Sequence, residues 1–308
     1  MKKSVALLLG ALFTISAAGT SLAASNHHHD VTKAKPAFPL HVKDQAGHWV
    51  TVQKKPLHIA SVTEGTDEIL SALVPKKDIA MVTSLASNPL YSNIVGFAKG
   101  IPAIGNANAE QVLAVHPDLV LMASYVTSGV VSQIEQSGVP VYEFANFNSI
   151  ANIEQNIEVV GRLTGTLTKA KALVHHIQVQ IQSYLKMDKG LPHPTVLDYS
   201  SYGFAAGRQT TVNDVIVDAG GINVARGLNG WQKITDEEIV KMNPQVIIDS
   251  SDDGTFLSKM AKDPALQTVS AIKNHRLYTI NSADLSSVSQ YVVNAVRDLH
   301  KVLFPRHS

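Results

Sequence analysis

The sequence predicts an α/β protein of two Rossmann-like lobes with mostly parallel sheets, joined by one long rigid helix. Three observations predict it. Short apolar, strand-like runs alternate with helix-like segments in both halves of the chain. A helical pattern occupies residues 149–186 between them. One motif recurs in both halves in the same register, about one domain length apart.

The elements follow in chain order. Residues 1–23 read as a secretory signal peptide: Met1-Lys2-Lys3, an apolar run from Val5 to Ala18, then Ser21-Leu22-Ala23-Ala24. That run is shorter than the roughly 20 apolar residues a spanning helix needs. Residues 24–37 are polar and aperiodic, a flexible leader that carries His27-His28-His29-Asp30. The triplet offers imidazoles to a divalent metal but no formed site. Cleavage after Ala24 would make Ser25-Asn26-His27 an amino-terminal copper-binding tripeptide, against the preference for a small residue where Leu22 would then stand.

Residues 38–165 form the predicted amino-terminal lobe. It opens with a hairpin, because Leu40–Asp44 and His48–Val52 alternate in polarity on either side of a turn containing Gly47. Strand runs follow at His58–Val62, Ile79–Val82, Leu119–Ala123 and Val139–Glu143, with helix-like segments such as Asp67–Leu73 between them. Residues 166–190 are the predicted bridge. Gly165 separates two helices, and the second, Thr166–Lys186, would be about 30 Å long at 1.5 Å per residue. Residues 191–308 form the second lobe, with strand runs at Thr195–Tyr199, Val246–Asp249 and Leu277–Ile280.

The repeat pairs Glu110–Leu121 with Glu237–Ile248. In each copy a Glu opens a helix, a proline (Pro117, Pro244) follows seven residues later, and a strand begins. The two lobes are therefore counterparts that contribute strand ends to a shared cleft, where ligands of such sheets bind. Glu110 and Glu237 occupy equivalent first turns. Two readings fit them: carboxylates that complement the helix dipole, or a matched pair presented to a pseudo-symmetric partner.

Composition narrows the function. The chain has 26 basic and 25 acidic residues, a balance that excludes the basic signature of nucleic-acid binding. It has no cysteine, which excludes disulfides, thiolate metal sites and a lipid-modified cysteine. With the export signal, this predicts a freely diffusing, unanchored protein of the periplasm.

The order and spacing of several segments resemble one family. They are Asp44–Val52 before Pro56, His58–Val62 with Thr66–Leu73, and Gly105 followed by Glu110–Ser124. Gly138–Tyr142, Val160–Gly165, Val212–Ala225 and Ile272–Tyr278 continue the series. Together they resemble the periplasmic binding proteins for siderophores, haem and cobalamin, over residues 40 to 305. The resemblance implies a ligand held in a shallow interlobe cleft and limited closure about a stiff helix. It also implies docking on a dimeric ABC permease through Glu110 and Glu237, a monomeric carrier, and no resident cofactor, iron entering only as part of the cargo.

Residues just past strand ends are the ligand candidates: Ser61, Glu64 and Leu85 in the first lobe, then Tyr125. Tyr202, Arg208, Trp231 and Asp284 are their counterparts in the second. Tyr125, Tyr202 and Trp231 would supply aromatic walls for a bulky chelate, or serve as packing. Arg208 would form charge-assisted hydrogen bonds to an anionic chelate, or an ion pair at the surface. On these grounds a ferric siderophore is the expected cargo.

Haem and cobalamin stay as alternatives within the resemblance. A Tyr125 phenolate could ligate ferric haem, although Asn106 stands after Gly105 where many haem carriers have tyrosine. Leu85, Asn88 and Ala123 stand where a cobalamin site would carry aromatics. A metal chelatase is the rival of another class, since such enzymes share a two-lobed plan. The chain shows no Gly-x-Ser-x-Gly elbow, no P-loop and no His-Glu-x-x-His. His175 and His176 are adjacent on a helix, point about 100° apart and do not form a chelating pair.

Overall fold

A computed structural model describes residues 38–305. The expected signal peptide and the leader with His27, His28 and His29 lie outside the described residues. No described helix is long and apolar enough to cross a membrane.

The hairpin forms as its alternation predicts: β1 (Leu40–Lys43) and β2 (Trp49–Val52) pair antiparallel, with His41 opposite Thr51 and Val42 opposite Val50. The amino-terminal lobe is built on β3 (Ile59–Ser61), β4 (Ile79–Thr83), β5 (Ala103–Ile104), β6 (Leu119–Ala123) and β7 (Val141–Phe144). They run parallel in the order β5-β4-β3-β6-β7. β3, β6 and β7 are buried at every position, as expected of a parallel sheet covered on both faces.

In the carboxy-terminal half follow β8 (Thr195–Asp198), β9 (Phe204–Ala206), β10 (Ile222–Asn223), β11 (Trp231–Lys233), β12 (Val246–Ser250) and β13 (Leu277–Ile280). Four of them make a second parallel sheet, β10-β8-β12-β13, while β9 and β11 form a small antiparallel ribbon beside it.

The two sheets are joined by the helix Leu167–Met187, 21 residues and therefore about 30 Å. The preceding helix, Ile150–Leu163, stops at Thr164, and Gly165 takes a left-handed φ of 70° that turns the chain back. The two helices then pack closely: a Cβ on Gly161 would collide with Ala170. Ala170, Val174, Ile177 and Ile181 form the buried stripe of the long helix, at steps of three and four.

One hydrophobic core runs along that stripe. It begins in the first lobe with Ile69, Leu70 and Phe144 and continues into the second with Val196, Val215 and Leu299. Each sheet has a further core on its other face, around Val120 and Met122 in the first lobe and Leu197 and Ile247 in the second. Bending the long helix would open the shared core, and this makes it stiff.

Hydrogen bonds also cross directly between the lobes. Buried Glu68 accepts from the backbone and side chain of Asn93 (2.8 and 3.1 Å) and from the Ser287 hydroxyl (2.8 Å). Its backbone carbonyl accepts from Gln290 (2.7 Å), and Asn93 donates to the carbonyl of Ala283 (3.0 Å).

The repeat is reproduced in detail. Glu110 and Glu237 are each the second residue of a helix, Ala109–Ala114 and Asp236–Met242, and both are exposed. Each helix is capped by the preceding side chain, Asn108 on Gln111 and Thr235 on Glu238. Six residues after the Glu, His116 and Asn243 both adopt left-handed φ (48° and 44°), and the proline follows. Asp118 then accepts from the backbone of Leu57 and His58 before β3, and Gln245 accepts from the backbone of Thr195 at the start of β8. One local design thus sets two strands in register in two lobes.

Candidate functional site

Three adjoining cavities lie along the carboxyl ends of the strands. The first, about 390 Å³, is walled by Thr63, Glu64, Thr83, Leu85, Asn106 and Tyr125. The second, about 340 Å³, shares Glu64, Leu85 and Tyr125 with it and adds Tyr91, Phe147 and Val288. The third, about 530 Å³, shares Phe147, Ser286 and Val288 with the second and continues to Asp198, Gln209, Thr210, Trp231 and Asp249. Shared walls make them one trough that spans both lobes, where parallel sheets hold ligands.

Its aromatic walls are Tyr91, Tyr125, Phe147 and Trp231. Tyr125 is 77% exposed and Trp231 49%, so both have surface left for a ligand to cover. Close approach of the lobes shapes the middle of the trough. A Cβ on Gly65 would strike the Val288 side chain, so a glycine here lets the first helix, Glu64–Leu73, meet the second lobe.

The trough is acidic. Glu64 heads the helix Glu64–Leu73, and its Oε1 is buried without a hydrogen-bond partner. Burial, with Glu68 and Asp67 nearby, pushes its carboxyl up to about 9. Beneath it, Asp67 accepts from the backbone and hydroxyl of Thr83 (2.9 and 2.6 Å); burial still pushes it up to about 7. In the second lobe Asp198 is the last residue of β8 and Asp249 the last but one of β12, and they are 5% and 4% exposed. Burial pushes Asp198 up to about 8, with Asp249 adding to it. Asp249 is pushed by burial up to about 7, against the Ser250 N–H it accepts at 2.8 Å. Among the described residues no Lys, Arg or His lines any of the three cavities.

Four of the residues expected from sequence line the trough: Glu64, Leu85, Tyr125 and Trp231. The other four stand elsewhere. Ser61 is buried and bonds Thr66 Oγ1 (2.6 Å), shaping the turn before the helix. Tyr202 sits exposed on the tight turn Ser200–Gly203, which the Gly203 N–H closes on the Ser200 carbonyl. Asp284 is buried in the short helix Ser282–Leu285 and accepts from Asn294 (3.0 Å).

Arg208 stands apart from the lining of the trough. It is exposed, its backbone pairs with Leu228 and Gly230, and the left-handed Gln209 (φ 61°) lines the cavity in its place. The trough therefore presents no guanidinium to an anionic chelate. Asp198 and Asp249 were missed, although each ends an apolar run, and that position was the available signal.

A family model described as periplasmic binding protein matches residues 59–283. An uncharacterized ABC transporter substrate-binding lipoprotein of Bacillus subtilis is 25% identical, covering 97% of this chain and 96% of that protein. A cobalamin-binding protein of Halobacterium salinarum is 23% identical over 86% of this chain and 74% of its own length. Among solved structures, the periplasmic haem-binding protein of a Roseiflexus species superposes with a TM-score of 0.70 at 24% identity. It covers 82% of this chain and 99% of that one. The lipoprotein overturns the expectation of a freely diffusing periplasmic protein, since a chain similar over nearly its whole length is of the anchored kind.

Proposed function

The chain belongs to the periplasmic binding protein family, whose members bind solutes and are not enzymes; from that premise we propose that it captures a bulky metal chelate between its lobes and delivers it to an ABC importer. The metal complex is cargo and not a cofactor. The observation that carries the ligand class is the lining of the trough: four aromatics, four carboxyl groups in or just beneath the wall, and no cation among the described residues. Such a lining favours a neutral or cationic chelate with a periphery of carbonyl and amide groups. Glu64 and Asp198, held protonated near neutral pH, donate hydrogen bonds to its oxygens.

Within that class a neutral or cationic ferric siderophore is the first reading. A corrinoid is the second, favoured by the named activity of the haloarchaeal relative and by Tyr91 and Phe147, which restore aromatic wall that the sequence pattern lacked. Haem fits less well. Among the described residues no lining cation meets the propionates.

Titration of the purified protein by tryptophan fluorescence tests the ligand class. A neutral ferric trihydroxamate or a cobalamin is expected to bind at least tenfold more tightly than a ferric tris-catecholate or haemin. Trp231→Ala, titrated calorimetrically, is expected to weaken binding about tenfold, about 1.4 kcal/mol. Preference for the anionic complexes would overturn the reading.

Glu110 and Glu237, exposed and equivalent, are proposed as the contacts to a pseudo-symmetric pair of permease subunits. The double variant Glu110→Arg with Glu237→Arg is expected to bind chelate normally yet lower uptake at least tenfold in cells. Unchanged uptake would remove the docking role.

A further inference from the structure

We infer that Asp44, His48 and Glu143 form a site for a divalent transition-metal ion of the zinc type, which fastens the amino-terminal hairpin to the edge of the first lobe's sheet. The site is separate from the trough and was not among the residues expected from sequence. Asp44 follows β1, His48 precedes β2, and Glu143 lies on β7, the last strand of the five-stranded sheet.

Two carboxylates are buried here side by side, Asp44 at 7% and Glu143 at 6% exposure, beneath an exposed imidazole. Asp44 uses Oδ1 to accept from the His48 backbone (2.7 Å), leaving Oδ2 free. The Glu143 carboxylate faces the same imidazole, its Oε1 3.3 Å from His48 Nδ1. The same Nδ1 stands 3.7 Å from Asp44 Oδ2, and one ligand atom from each residue lies within 4.8 Å of the others. A tetrahedral ion with bonds of about 2.0–2.1 Å to nitrogen and oxygen separates its ligands by about 3.3 Å. The site is within a few tenths of an ångström of that spacing along two edges.

The surroundings hold the three groups in place. The Gln45 side chain accepts from the backbone of Ala145 and Asn146 (2.7 and 2.8 Å) and donates to Asn156 (2.7 Å), while its own N–H bonds the Glu143 carbonyl (3.1 Å). The turn between Asp44 and His48 is thereby fixed against the end of β7, as metal ligands usually are by their outer partners. One imidazole and two carboxylates suit Zn²⁺, Co²⁺ or Mn²⁺ better than Ca²⁺, with water completing the shell on the exposed side. The two negative charges match a dication.

The test uses the full chain with His27, His28 and His29 changed to Ala, stripped of metal and titrated calorimetrically with Zn²⁺. One ion per chain is expected to bind at micromolar or better affinity and to raise the melting temperature, whereas Ca²⁺ at the same concentration does neither. His48→Ala and Glu143→Gln are each expected to weaken Zn²⁺ binding at least tenfold. The visible bands of bound Co²⁺ are expected to vanish in both. His48 is exposed, so His48→Ala melts normally without metal and separates lost binding from lost folding. Absence of Zn²⁺ binding, or Zn²⁺ and Co²⁺ binding unchanged by His48→Ala, would overturn the inference.

Discussion

Asp188→Ala and His300→Ala are each expected to remove about 2 kcal/mol of stability, the range found when one partner of a buried hydrogen bond is deleted and the other is left unsatisfied. Asp188 caps the carboxyl end of the long helix, and His300 lies on the helix Val292–Leu303 of the second lobe. Their side chains are each 1% exposed and meet at 2.9 Å, Nε2 to Oδ1. The imidazole lies between Tyr184 and Phe304, with ring centres at 5.0 and 5.3 Å. Asp188 Oδ2 is already without a partner, so losing His300 leaves the whole carboxyl buried and unpaired. Urea denaturation measures both variants. Asp298→Ala, which breaks only half-exposed contacts to Arg297 and Lys301, serves as control and is expected to cost less than 1 kcal/mol. A loss below 1 kcal/mol in both buried variants would show that the pair does not anchor the helix.

The architecture was legible wherever local chemistry decides it. The repeat could be read because cap, helix, left-handed residue, proline and strand all lie within a dozen residues of Glu110 and of Glu237. Strand ends shifted by a residue or two, as with Val141–Phe144 against the expected Val139–Glu143, because pairing with β6 sets the limits. β9, β10 and β11 were invisible for the same reason. They are three, two and three residues long, and only partners distant in sequence make them strands.

The site was half legible. Position after a strand end brought Glu64, Leu85, Tyr125 and Trp231 to the trough, but whether such a residue faces it depends on the next turn. At Arg208 the left-handed Gln209 decides the matter, and at Ser61 a hydrogen bond to Thr66 does. The acidity of the trough was hidden for a different reason. Asp198 and Asp249 are separated by half a lobe in sequence and become neighbours only because β8 and β12 pair. On the reading proposed above, that pairing moves the ligand class from an anionic to a neutral or cationic chelate.

Raising the pH from 5 to 9 is expected to lower the melting temperature of the ligand-free protein by at least about 10 °C, and Asp198→Asn with Asp249→Asn to remove nearly half of that fall. Burial holds Glu64, Asp67, Asp198 and Asp249 at about 9, 7, 8 and 7 in the folded chain, whereas unfolded carboxyls titrate near 4. Between those limits the unfolded chain gives up protons that the folded chain keeps. Each group's contribution is therefore fully present below about pH 4 and is lost as pH rises through its folded value, at up to about 1.4 kcal/mol per pH unit. Asp298, lowered by the Arg297 and Lys301 contacts that outweigh its own burial, acts in the opposite sense, and its contribution is lost only toward acid pH. Thermal melts at intervals of one pH unit measure the slope; a flat profile would show that the trough carboxyls are ionised in the folded state. The same titration bears on the cargo. A cationic chelate drives Asp198 and Asp249 to release protons, so its calorimetric heat near pH 7 varies with the ionisation enthalpy of the buffer. A neutral chelate that accepts hydrogen bonds from the protonated acids shows no such variation at pH 6, and its affinity falls as the pH rises past 8.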